Sequence, residues 1–133
     1  VYDITRDPTD FRRLVRTAIF GFLQDVAAHD WESAAARLAG ESGPTLAEVR
    51  RIETEFKAHG DARGRFRLDP EGRAAKHTHW TENSMAGEWT VAQMLIDGEG
   101  HNDWEAQFTV ALAKSRAENR AVVRFVTVKP LGR

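Results

Sequence analysis

Apolar residues recur with helical spacing along the first part of the chain. Phe11, Leu14, Val15, Ala18, Ile19, Phe22, Leu23 and Val26 fall three or four positions apart and define one broad stripe of a helix. Arg12, Arg13, Arg16 and Asp25 take the opposite face, and Asp10 is placed to cap the first turn. A break near His29 lets Asp30 cap a second, shorter helix on which Trp31, Ala34, Ala35 and Leu38 share a face. Its alanines permit close approach to a neighbour. After the turn-forming segment 40–44, Thr45 and Glu48 fit a capping box, and Leu46, Val49, Ile52 and Phe56 mark a third helix expected to end before Gly60.

Beyond Gly60 the period shortens to two. Phe66 and Leu68 alternate with Arg65 and Arg67 in a short strand, and the turn 69–72 returns the chain as a strand over 74–80. Further strands are expected over 89–96 and 104–113, then, after a turn at 115–120, over 121–128. In the longest, Trp104, Ala106, Phe108, Val110 and Leu112 alternate with Glu105, Gln107 and Thr109, so one side is apolar and the other wetter. Short turns favour an antiparallel meander, and the helices supply the apolar surface that one sheet face requires. The fold class is therefore α+β, three N-terminal helices on an antiparallel sheet, either a plain two-layer sandwich or a sheet curved around the long helix. A single domain is expected over 1–133, with its core at about 10–128.

Composition narrows the chemistry. Apolar residues are 41% and charged residues 29% of 133, an ordinary globular mixture. The chain has no cysteine, which excludes disulfides, thiolate metal sites and a cysteine nucleophile. No apolar run is long enough to cross a bilayer and no signal-peptide pattern is present, so a cytoplasmic location is expected, without a membrane partner. The first residue is valine, which suits a processed protein or a piece of a larger one. A net charge of −1 conceals a division: 77–113 contains no lysine or arginine, whereas basic residues dominate 50–76 and 114–133.

His77 and His79, two apart in an expected strand, would share a face as two imidazole ligands or an acid/base pair would require, with Asp103 able to orient one of them. Against this stands the plainer reading of surface histidines and a turn-forming aspartate. No metal motif is complete, and neither a metal nor a cofactor is implied. Arg63, Arg65, Arg67 and Arg73 form a candidate phosphate-contacting patch for RNA, although no aromatic suited to base stacking lies between them; a solvated strand edge is the simpler account. The four tryptophans suit either an apolar pocket or core anchors.

Asp10-Phe11-Arg12-Arg13-Leu14-Val15-Arg16, the run from Trp89 to Leu95, Asp97, the Gly100-His101-Asn102-Asp103-Trp104 segment and Ala121-Val122-Val123-Arg124 together resemble the uncharacterised C-terminal domain of actinobacterial DEAD-box-like helicases. That resemblance implies a domain beside a helicase motor, itself without motor motifs and without known catalytic residues. The order of helices then sheet is also similar to the nuclear transport factor two-like superfamily, whose cone-shaped fold holds a pocket between helix and concave sheet. It implies Phe22, Trp31, Phe56, Phe108 and Phe125 as wall residues. The leading expectation is a non-catalytic accessory or interaction domain, with an attached helicase motor or another protein as partner. The alternatives are a small-molecule isomerase, dehydratase or hydrolase-like enzyme, and a direct RNA-binding domain; a homodimer is compatible with each.

Overall fold

The computed structural model describes residues 3–131. Helix α1 (Pro8–Ala27) starts at Asp7, whose carboxylate accepts from the N–H groups of Thr9 and Asp10, with Pro8 at the first helical position. Asp10 therefore lies within the first turn and does not cap it. His29, at φ 57°, turns the chain, and Asp30 caps α2 (Trp31–Ala39) by accepting from Ser33. Thr45 caps α3 (Leu46–Arg63) through the Glu48 N–H. This helix runs through Gly60 and stops only at Gly64, which adopts φ 73°. One interior glycine costs about 1 kcal/mol, which does not end a helix whose adjoining turns pack Phe56 and His59 against Phe66 and Trp104.

The sheet is an antiparallel meander in the order β1 (Thr78–Asn83), β2 (Glu88–Met94), β3 (Trp104–Ala111), β4 (Val123–Pro130). Strand β1 begins later than the alternation suggests because Ala75–His77 form a 3-10 turn. Phe66 makes a single bridge to Asp97 instead of a strand. Strand β3 stops at Ala111, and the helix-favouring run that follows winds into α4 (Leu112–Glu118), anchored by buried Leu112 and Ser115.

One apolar cluster joins the helices to one sheet face. Phe11, Val15, Ile19 and Phe22 of α1 meet Trp89 and Val91 of β2, Phe108 and Val110 of β3 and Phe125 of β4. Phe22 lies 5.8 Å from Phe56, 5.6 Å from Phe108 and 5.4 Å from Phe125 between ring centroids. Each such side chain contributes about 1.5–3 kcal/mol on burial.

The cone-shaped, nuclear transport factor two-like fold is not formed. The sheet is open and uncurled, and the space where a cone would hold its pocket is filled by Phe22, Phe56, Phe108 and Phe125, each no more than 5% exposed. The physical reason lies in the strands: they contain no glycine, and the only register shift among the described pairings is at Gln107/Phe108. Strong curvature requires repeated bulges or glycine kinks. Segment 40–45, where the cone would have an early strand pair, is instead a 3-10 turn followed by the α3 cap.

Candidate functional site

Concavities lie outside the filled centre, and two of them bear on function. The smaller, a cleft of about 420 Å³, lies between the end of α3 and the loop leading to β3, and is lined by Arg63, Arg65, Phe66, Arg67, Asp97, Glu99 and His101 among others. Its organising residue is Asp97, buried at 3% exposure although it stands in a loop. One carboxylate oxygen accepts from the N–H groups of Glu99 (3.0 Å) and His101 (2.8 Å); the other is 2.7 Å from His101 Nδ1. Glycines at 98 and 100, the latter at φ 86°, let the loop turn back tightly enough to make these bonds. Burial alone would raise the Asp97 pKa, but the ring and amide of His101 outweigh it and hold the carboxyl below its ordinary value.

His59 lies next to this loop. It is 1% exposed, with its ring edge-on to Trp104 at 5.4 Å and Phe66 at 5.8 Å, and its Nε2 has no partner among the described residues. Burial pushes its pKa down, and the carboxylates of Asp97 and Asp103 oppose that shift. Arg63 grips Asp103 through Nε at 3.1 Å and through Nη2.

His77, His79 and Asp103 are not brought together. His77 ends the 3-10 turn, 8% exposed, with Glu71 Oε1 at 3.9 Å; His79 is exposed on β1 and its Nε2 is 3.2 Å from the Lys76 carbonyl. The Asp103 carboxylate is committed to Arg63. Only one of the two histidines lies within the strand, so the shared face expected from their spacing does not arise. Among the described residues no group of three or more histidine, aspartate or glutamate side chains is placed to hold a metal.

The arginines are similarly dispersed. Arg63 is paired with Asp103 and Arg67 with Asp69, Arg73 donates to the Leu68 carbonyl, and neither Arg65 nor Arg73 has a carboxylate within 4 Å among the described residues. Trp31 is half-buried against the apolar cluster and stacks on His29 at 5.5 Å. Sequence reasoning missed the Asp97–His101 pair. Its signal was present in Asp97-Gly98-Glu99-Gly100-His101, where two glycines bring the ends of the segment back together.

The larger concavity is an open groove of about 1430 Å³ between α2, the Gly40–Ser42 turn, the start of α3, α4 and β4. Ala35, Leu38, Ile52, Val123 and Phe125 contribute apolar floor, and Val126, 42% exposed, extends it. On its rim Arg37, Arg51 and Arg120 are paired with Asp25, Glu48 and Glu118. Lys114 and Arg124, by contrast, have no carboxylate within 4 Å among the described residues. Arg120 crosses towards α2 at Gly40, whose φ of 75° is a backbone conformation that favours glycine on this wall of the groove.

No helix among the described residues is long and apolar enough to cross a membrane. A family model described as "Domain of unknown function (DUF3516)" matches residues 2–128. No curated protein and no solved structure matches the chain.

Proposed function

The chain belongs to the DUF3516 family, and on that premise we propose that it is a non-catalytic interaction domain that binds a polypeptide partner in the groove between α2, α3 and β4. The observation that carries this reading is the filled aromatic centre: the volume in which an enzyme of this layered form would hold its substrate is occupied by Phe22, Phe56, Phe108 and Phe125. The groove is too open to enclose a small molecule, yet its apolar floor and unpaired Lys114 and Arg124 suit an acidic segment with apolar anchors. The helicase-like resemblance of segments 10–16 and 89–104 favours an adjoining cytoplasmic helicase-like motor as the source of that segment. Arg63 and Arg67 are committed to Asp103 and Asp69, which reduces the charge the four arginines offer a phosphate backbone and weighs against direct RNA binding.

Titration of the isotope-labelled chain with a helicase-like motor protein, followed by amide chemical shifts, tests this. Shifts are expected at Ile52, Lys114, Arg124 and Val126, and Arg124→Glu should weaken the association about tenfold. Shifts confined to the His101 loop, or saturable shifts with single-stranded RNA alone, would overturn the reading.

A further inference from the structure

The two edges of the sheet are treated differently. Along β4 the edge is closed by α3: Arg51 donates to the Phe125 carbonyl at 2.6 Å and the Val126 carbonyl at 2.7 Å, and Glu55 accepts from the Val128 N–H at 3.0 Å. Among the described residues no backbone or side-chain group bonds to the main chain on the outer side of β1. The strand also lacks the usual protections of an edge. Thr78-His79-Trp80-Thr81-Glu82-Asn83 contains no proline, no lysine and no bulge.

Charge along this edge is graded. Arg73 and Lys76 stand before its start, and Glu82 near its end. A parallel neighbour of the same sequence would set like charge against like. An antiparallel copy related by a two-fold axis sets the basic start of each strand beside the acidic end of the other. Because side chains alternate between faces, open face meets open face only when the axis passes through a residue, and an axis at Trp80 or Thr81 gives the longest pairing. In the first register Thr78 faces Glu82 of the second copy; in the second, Trp80 does. Lys76–Glu71 and Arg12–Glu82 are partly exposed pairs that can be shared across such a contact at small cost.

We propose that β1 is a self-association edge, and that a second copy of this chain adds to it antiparallel, extending the four-stranded sheet to eight. The contact is short, so the dimer is weak and concentration-dependent. It is independent of the groove, and either surface can fail without the other.

The absence of native cysteine allows a clean test. The full chain carrying Thr81→Cys, spin-labelled, is examined by pulsed electron resonance alongside Lys57→Cys on the outer side of α3, while sedimentation is followed up to on the order of 1 mM. Backbones at opposed positions lie about 4.5–5.5 Å apart, so the expected result is a short separation at 81, appearing with the dimer, and a much longer one at 57. Thr81→Lys and Lys76→Glu, both at exposed positions and checked for native melting, should each weaken the dimer about tenfold. A monomer at every concentration, a shorter separation at 57 than at 81, or a dimer indifferent to both charge changes would overturn the proposal.

Discussion

Phe22, Phe56, Phe108 and Phe125 meet at the centre of the molecule through ring contacts of 5.2–5.8 Å, whereas at the end of α3 Arg63 pairs with Asp103 and Asp97 with His101, beside a buried His59 held only by the rings of Phe66 and Trp104. Helix α3 contributes to both. At the centre it presents Phe56, and one turn later it presents His59. The centre needs only shape and exclusion of water, so its cohesion is indifferent to pH. The end depends on groups whose charge changes, and its order follows their protonation. Stability and responsiveness are thus separated along one helix.

The largest effect should come from breaking the centre. Phe22→Ala removes a fully buried ring in contact with three others and leaves a cavity that neighbouring strands cannot collapse to fill. A loss of about 3–5 kcal/mol is expected from urea unfolding at neutral pH. The loss should be the same at pH 7 and pH 5. A loss under 1 kcal/mol would mean that the four rings do not form the core.

A smaller, pH-dependent effect should follow from His59→Phe. Burial lowers the His59 pKa in the folded state, so the unfolded chain binds a proton that the folded chain refuses. The stability associated with neutral His59 is present above about pH 6.5, the unfolded value, and is lost as the pH falls below it. The slope cannot exceed that of one proton, about 1.4 kcal/mol per pH unit. Phenylalanine fits among Trp104 and Phe66, has no Nε2 to leave unpaired, and removes the titration. Melting curves from pH 7 to pH 5 should therefore flatten in the variant. An unchanged slope would assign the acid sensitivity to other groups.

The same division governs what the sequence makes legible. The centre could be anticipated because periodicity places Phe22 and Phe56 on apolar helix faces and Phe108 on an apolar strand face, and burial follows from pattern. Its occupancy could not, since whether facing rings fill a volume or line it depends on the curvature of the sheet. The α4 helix was hidden because Leu112 continues the alternation of β3, and the extension of α3 beyond Gly60 because the residue that favours its continuation, Arg63, is fixed by Asp103, forty positions away. The polar end was hardest. Asp97 and His101 read as a solvated turn, whereas the bridge from Phe66 and the bonds from Glu99 and His101 surround a carboxylate that is buried.

The smallest effect, and the one that separates the two regions most sharply, belongs to Asp103→Asn. Asp103 and Arg63 form a bidentate pair, yet their side chains remain 46% and 31% exposed. Such pairs contribute little because solvent already stabilises both charges. The melting temperature at pH 7 should therefore not shift measurably. The pair acts instead through its field: the Asp103 carboxylate raises the His59 pKa, and Arg63 lowers it. Removing the carboxylate charge leaves Asp97 alone to oppose burial and Arg63, so His59 becomes harder to protonate in the fold. The loss of stability between pH 7 and pH 5 should then be at least as large as in the parent chain. A variant that melts much earlier at pH 7 would show that the polar end is a structural staple on a par with the centre. One that loses less on acidification would show that His59 and Asp103 are not electrostatically coupled, and the polar end would then be a set of independent surface pairs.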